Sequence, residues 1–318
     1  GYTGAELLRL LASHPEAEVH MASRQEGGEA LEQLFPSLAG YFALELISHN
    51  PRKMGSACDV VFCCMPHKAS MGVIPDILDG GAKVVDLSAD FRFKNIKIYE
   101  KWYTAHSAPE LNREAVYGLP EIYRDKIKPA RLVGNPGCYP TGAILALAPL
   151  VKKKLAAPDS LIIDSKSGVS GAGAKPTETV HYVEVNESIR AYGVGSHRHT
   201  PEIEEQISAL AGEDIKVSFT PHLTPMERGI LTTCYAVLTK KTDTPELLNV
   251  YGEFYKGEKF VRILPEGTLP RTKWVRGSNY TDIGAVSYPR TGRAVVISAT
   301  DNLVKGAAGQ AIQNMNLM

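Results

Sequence analysis

The sequence lacks a charge imbalance: Lys and Arg number 35, Asp and Glu number 35, and no run of like charge is longer than Lys152, Lys153 and Lys154. A nucleic-acid groove or an anionic membrane surface calls for a basic patch, so neither is the expected partner and a small, discrete ligand is. No apolar stretch approaches the roughly 18 to 20 residues of a membrane span, so a soluble chain is expected. The five cysteines, Cys58, Cys63, Cys64, Cys138 and Cys234, show no Cys-x-x-Cys spacing and stand mostly in apolar, strand-like runs. That excludes a disulfide framework and points to a reducing, cytoplasmic compartment. Internal repeats and low-complexity segments are also absent.

What is present is length enough for more than one core: 318 residues predict two domains. Up to residue 134, helical and apolar strand patterns alternate: helix 4–13, strand 17–23, strand 58–64, helix 66–78, then a strand from Ala82. Val60-Val61-Phe62 and Val84-Val85 are continuous apolar runs, as in parallel strands covered on both faces. The expected class is α/β, with a Rossmann-like doubly wound nucleotide-binding domain.

Beyond the helix after Cys138 the texture changes to longer β-branched runs, LIIDSKS, SIRAYGVG, IKVSFTPHL, GILTTCYAVLTK, TDIGAVSY and RAVVISAT, with clear helices only at 200–211 and 245–256. An α+β domain with a mixed or antiparallel sheet is expected there. The predicted organisation is 1–137 with 303–318 as the nucleotide-binding domain and 138–302 as the catalytic and oligomerisation domain. The final helix, 304–316, returns to the first domain. Gly1 opens the sequence inside a turn with no methionine, and the last residues stop within an apolar helix. A fragment lacking its first strand is therefore expected.

Gly1, Tyr2, Thr3 and Gly4 run directly into a helix, which suits the tail of a glycine-rich phosphate turn and equally any glycine-rich helix start. The following strand ends on Ser23 and Arg24, where an NAD enzyme would place a ribose-binding carboxylate. A cation and a hydroxyl there suit the 2′-phosphate of NADP; Arg24 is equally a solvated loop charge.

Cys138, in NPGCYPTG (135–142), follows a Pro-Gly turn and opens a helix. The unpaired N–H groups and positive dipole end there favour thiolate over thiol. A nucleophile needs a base, and GSHRHTPEI (195–203) supplies His197, Arg198, His199 and Glu202. Thr200 reads as the N-cap, Pro201 as the first helical residue and Glu202 as a first-turn acid beside His199. Thiol, imidazole and carboxylate together predict covalent catalysis, with His199 or His197 as base. A metal site is not expected, because no nearby Cys or Asp completes a ligand set.

The stretches GYTGAELLRLL (1–11), VVDLSADFR (84–92), AVYGLPE (115–121), NPGCYPTG (135–142), SGVSGAGA (167–174), GSHRHTPEI (195–203), PHLTPMERGILTT (221–233) and DNLVKGAAGQAIQN (301–314) resemble N-acetyl-gamma-glutamyl-phosphate reductase over essentially the whole chain. The resemblance implies NADPH-dependent reduction of N-acetyl-glutamyl 5-phosphate to the 5-semialdehyde, with release of phosphate, in arginine biosynthesis. It implies that Cys138 forms a thioester, with His199 as acid/base oriented by Glu202 and His197 as its rival. Cofactor contacts are expected at Gly1, Tyr2, Thr3, Gly4, Ser23, Arg24, Ser88, Ala89, Ser170, Gly171 and Asn302. Substrate contacts are expected at Asn135, Arg92, Arg198 and Arg228, since a guanidinium fork matches both carboxylate and phosphate. A homodimer or homotetramer is implied, and the apolar run Ile230 to Leu238 is either oligomer surface or core. Rival readings are aspartate-semialdehyde dehydrogenase, a reductase of carrier-linked aminoadipyl phosphate in lysine biosynthesis, and a non-catalytic nucleotide-binding regulator.

Overall fold

In the computed structural model, which describes residues 1–318, the chain groups into two units: Gly1–Pro136 with Ala307–Met318, and Gly137–Gly306.

The first unit holds seven strands: β1 (Ser23–Arg24), β2 (Glu29–Ala30), β3 (Glu45–Ser48), β4 (Val60–Cys63), β5 (Lys83–Asp86), β6 (Val116–Tyr117) and β7 (Leu132–Gly134). Instead of one continuous sheet they form two, ordered β1-β3-β2 and β4-β5-β7-β6, because β1 and β4 are not hydrogen-bonded neighbours. The second of these is parallel throughout. Its apolar runs are buried as a doubly covered parallel strand requires: Val84 and Val85 are inaccessible, packed with Val61, Ile74, Ile77 and Leu132 or beside them.

Two expected elements shrink for identifiable reasons. The strand expected at 17–23 survives only at its end, because only Ser23 and Arg24 find ladder partners, Ile47 and Ser48 on β3. The helix expected over 66–78 becomes a 3₁₀ turn, Ser70–Gly72, and a short helix, Ile74–Asp79. The Asp90 carboxylate accepts the Lys68 and Met71 N–H groups at 2.8 and 3.2 Å, and Lys68 sits at φ 76°, which takes the chain off a helical path. Helix Tyr2–Leu11 buries Leu7 and Leu11 against Ala308 and Ile312.

The second unit is built on a seven-stranded sheet of β8 (Ile162–Gly168), β9 (Arg190–Ala191), β10 (Ser218–Thr224), β11 (Ile230–Val237), β12 (Val261–Ile263), β13 (Thr281–Tyr288) and β14 (Arg293–Thr300), ordered β12-β13-β14-β11-β8-β10-β9. It is mixed: β8 pairs in parallel with β10 and β12 with β13, while the other ladders are antiparallel. Along β11, buried Ile230, Thr232, Cys234 and Ala236 alternate with half-buried Leu231, Thr233, Tyr235 and Val237, the signature of a sheet covered on one face. The covering element is helix Cys138–Lys152, whose Ala143 to Ala148 stretch is wholly inaccessible. Tyr251 and Tyr255, the first in helix Thr244–Phe254 and the second just after it, donate their hydroxyls to the Ala146 and Leu145 carbonyls.

The strand expected over 188–195 is confined to β9, because Gly193 and Gly195 adopt φ of 58° and 70° and turn the chain away from the sheet. The final helix begins as a π-helical stretch, Val304–Ala308, with the Gly306 N–H donating to Asp301 O at 2.9 Å, five residues back. It continues as the α-helix Gly309–Leu317. No helix is long and apolar enough to cross a membrane.

Candidate active site

Cys138 is the first residue of helix Cys138–Lys152, half-buried, with Gly137 at the cap position in an extended conformation and no side chain capping the turn. The first-turn N–H groups and the dipole end are thus presented next to Sγ. From behind, Gly306 closes on Cys138: a Cβ at 306 would lie 2.9 Å from Cys138 Cβ. The π-helical turn is what brings this backbone so close, and only glycine fits there.

The Gly137 N–H donates to Glu202 Oε1 at 2.8 Å. Glu202 is 1% exposed and stands in the first turn of helix Thr200–Ala211. Two helix N-termini therefore converge on one carboxylate, which satisfies one orphan donor and offsets both positive dipole ends. The expected N-cap was Thr200; the cap position is instead His199, with no side-chain bond. The turn tightens one residue early because Thr200 N–H already bonds His197 O at 3.0 Å.

His199 presents its imidazole to the same turn. A Cβ at Gly137 would fall 2.6 Å from His199 Nε2 and 2.9 Å from Cε1, so the ring edge rests on the Gly137 Cα, one residue before Cys138. His197 is placed differently. Its Nδ1 accepts the His199 N–H at 3.1 Å, and its ring meets Tyr139, Tyr192 and Phe219 edge-on at 5.5, 5.4 and 5.4 Å. Burial, helped by the neighbouring Arg198, pushes its pKa down to about 4. Tyr192 donates to Tyr139 Oη at 2.9 Å, and Tyr139 donates onward to His222 O at 3.3 Å. Burial raises both phenols, Tyr192 to about 12, so both are neutral donors.

The other residues expected in the second unit form a bonded rim around Ser170 and Asp301. Asn302 Nδ2 donates to Ser170 Oγ at 3.0 Å, its Oδ1 accepts the Gly229 N–H at 2.7 Å, and Ser170 Oγ donates to Glu227 O at 2.6 Å. Gly171 lies against this pair: a Cβ there would be 3.7 Å from Asn302 Nδ2. Arg228 Nε sits 3.2 Å from Asp301 Oδ2, and Asp301, wholly buried, also accepts Gly277, Leu303 and Val304 N–H groups. Arg198 is exposed beside His197.

In the first unit, helix Tyr2–Leu11 starts at Gly1 with no side-chain cap and no carboxylate in its first turn, so the turn through Tyr2, Thr3 and Gly4 fits an anion. Ser23 Oγ contacts His49 Nδ1 at 3.0 Å, and Arg24 is ion-paired with Glu29. Arg92 and Asn135, expected at the substrate, are buried in this unit. Arg92 donates to Asn135 O at 2.7 Å and Leu87 O at 2.9 Å; the Asn135 amide donates to Ala307 O and accepts from Asn314. Their burial makes them struts of the strand ends. Ser88 Oγ donates to Asp86 Oδ2 at 2.7 Å and Ala89 N–H to His67 Nδ1 at 3.0 Å. Burial raises the pKa of Asp86 to about 6.

Sequence reading missed the Tyr139, Tyr192 and Phe219 nest, which no local pattern links, and Gly306, whose only signal is a glycine inside a helical run. No three His, Cys, Asp or Glu side chains gather as a metal site.

The family described as "Semialdehyde dehydrogenase, NAD binding domain" matches residues 1–130, and "Semialdehyde dehydrogenase, dimerisation domain" matches residues 138–302. A protein of Geobacter metallireducens named N-acetyl-gamma-glutamyl-phosphate reductase is 56% identical over 320 residues, covering 100% of this chain and 92% of its own. One of the same name from Moorella thermoacetica is 53% identical with the same coverage. Among solved structures, aspartate semialdehyde dehydrogenase II of Vibrio cholerae superposes with a TM-score of 0.75 at 14% identity, over 100% of this chain and 95% of that one. The Candida albicans aspartate semialdehyde dehydrogenase with NADP gives 0.70 at 15% identity, with the same coverage. At such identities these structures speak for the fold alone.

Proposed function

The chain belongs to the N-acetyl-gamma-glutamyl-phosphate reductases of the semialdehyde dehydrogenase family, and from that premise we propose how its residues carry the reaction. It is an oxidoreductase of arginine biosynthesis, reducing N-acetyl-gamma-glutamyl phosphate with NADPH.

Cys138 is the nucleophile. The observation that carries this is its place at a helix start whose preceding residue, Gly137, is held by Glu202 and lies under the Nε2 edge of His199. The acid/base is His199, since His197 spends its Nδ1 on the His199 N–H. His199 takes the thiol proton as sulfur attacks the acyl carbon; the C–O bond to phosphate breaks and phosphate leaves with the electron pair. The thioester left on Cys138 is a better hydride acceptor than a carboxylate. Hydride for that carbonyl carbon is the chemistry the nicotinamide supplies when bound. His199 gives its proton to the resulting oxyanion; as the C–S bond breaks, the hemithioacetal hydroxyl returns that proton to His199, the aldehyde departs, and the Cys138 thiolate is left beside the protonated imidazole, ready to recover the starting thiol and neutral base.

The Gly1, Tyr2, Thr3 and Gly4 turn would hold the pyrophosphate, with Ser23 and Arg24 toward a 2′-phosphate once Arg24 exchanges Glu29 for it. Ser170, Gly171 and Asn302 form a small, rigid rim suited to a carboxamide, and Arg198 and Arg228 are the cations for substrate carboxylate and phosphate. Ser88 and Ala89 shape the strand end. The second unit carries the matched dimerisation domain, and a homodimer or homotetramer forming on the uncovered sheet face is supported by its half-buried Leu231, Tyr235 and Val237 and exposed Ile162 and Tyr288. A cytoplasmic site of action fits this chemistry.

The test is phosphate-dependent reduction of NADP⁺ by N-acetyl-glutamate semialdehyde, the reverse reaction. Cys138→Ala is expected to abolish it while cofactor binding persists; full activity in that variant would sink the proposal. Turnover of the N-acetyl-glutamyl phosphate against the carrier-linked aminoadipyl phosphate separates the arginine from the lysine substrate.

A further inference from the structure

Two histidines flank Arg198, and only one of them is used as a proton carrier in the reaction above. The other, His197, is enclosed by three aromatic rings, contributed by Tyr139 at the nucleophile helix, by Tyr192 from the glycine-rich approach and by Phe219 on β10. Its Nδ1 is committed: it accepts the His199 backbone N–H at 3.1 Å. That N–H is one of the donors a helix start leaves without an intrahelical partner, and no side-chain oxygen caps this helix.

We infer that His197 is a positioning residue, acting through the Nδ1 lone pair to fix the backbone of His199 and hence the seat of the His199 ring over Gly137. The inference rests on the roles proposed for Cys138 and His199. The edge-on contact between the His197 and His199 rings, with centroids 4.9 Å apart, adds a second restraint on the same imidazole. The nest has a matching function: it half-buries His197 and drives the imidazole to the neutral form, which the Nδ1 lone pair requires and which the His199 N–H then selects as the Nε2–H tautomer. Tyr139 follows Cys138 directly and its ring also meets His199, at 5.9 Å. The nest therefore couples the placement of nucleophile and base.

The distinguishing experiment uses two near-isosteric amides in the intact protein. In His197→Asn the amide oxygen falls near the place of Nδ1 and restores the acceptor. In His197→Gln the amide falls near Nε2 and leaves the His199 N–H unserved. His197→Gln is expected to lower kcat about tenfold or more with KM for the acyl phosphate changed far less, since misplacing a catalytic group by about 1 Å costs on the order of a hundredfold. His197→Asn should recover most of that loss and keep the pH profile of kcat, because the proton carrier is unchanged. If Asn is as inactive as Gln while both melt like wild type, His197 Nε2 carries the proton and the inference is overturned. Equal, full activity in both also overturns it. Selective ¹⁵N labelling of the wild-type histidines gives a readout that needs no variant: His197 must show an unprotonated Nδ1 through the active pH range, and a protonated Nδ1 contradicts the inference. Failure of the underlying reaction looks different, since wild type itself would then not turn over the acyl phosphate.

Discussion

Glu202 Oε1 accepts the Gly137 N–H at 2.8 Å, so the carboxylate in the first turn of one helix holds the residue that opens another. This buried bond ties the helix that opens on Cys138, the proposed nucleophile, to the helix capped by His199, its proposed base. Glu202→Gln keeps a carbonyl acceptor for Gly137 but removes the charge between the two dipole ends. Glu202→Ala removes both and leaves a buried donor without a partner, at a cost of about 1–3 kcal/mol. Thermal melts should rank wild type above Gln above Ala, and kcat should fall in the same order.

Gly137 should tolerate no side chain. A methyl at this position would sit 2.6 Å from His199 Nε2, a distance no real Cβ contact shows, so the ring must leave. Gly137→Ala is expected to cut kcat by about a hundredfold while circular dichroism stays native, because a small displacement of a catalytic group is enough. An alanine variant with wild-type kcat would show that the ring position is irrelevant to turnover.

The Asp86 carboxyl gives a pH signature to the first unit. Burial raises its pKa from 3.8 to about 6, so the folded state binds this proton more tightly than the unfolded chain does. That contribution favours folding at its fullest below about pH 4 and is lost as pH rises through about 6. Denaturant titrations of wild type against Asp86→Asn should show a difference in stability that grows between these limits in favour of Asn, whose charge state does not change. Parallel curves would contradict the assignment.

The helix bearing Cys138 is also the main cover of the second unit's sheet. Ile144 is wholly inaccessible within it, and Ile144→Ala should cost about 2–5 kcal/mol in urea denaturation. The folded protein that remains should keep its KM, since Ile144 touches no reacting group.

What was legible in the sequence follows from how local each feature is. TDIGAVSY and RAVVISAT carry an alternation that is itself the sheet's geometry, and both strands run over the residues expected, Thr281–Tyr288 and Arg293–Thr300. The 200–211 helix was equally plain, because Pro201 and the αL residue Gly212 mark its ends. The 17–23 strand was not, since a strand exists only through partners that a window of sequence does not contain. The same holds at the site. Cys138 and the histidine pair could be picked out by residue type and neighbours, whereas the division between His197 and His199 rests on a backbone bond and three rings gathered from residues 139 to 219. Arg92 and Asn135 had the right chemistry for a substrate contact, and only burial reveals that their bonds hold strand ends together.

The proposed reaction passes through a covalent bond to one sulfur. Wild-type protein mixed with N-acetyl-glutamyl phosphate in the absence of NADPH should gain the mass of one N-acetyl-glutamyl group, mapped by peptide mass spectrometry to Cys138, with release of an equal amount of phosphate and discharge of the adduct on adding NADPH. Cys138→Ala should gain nothing. Turnover by wild type with no adduct at Cys138, or an adduct that NADPH does not discharge, would contradict it.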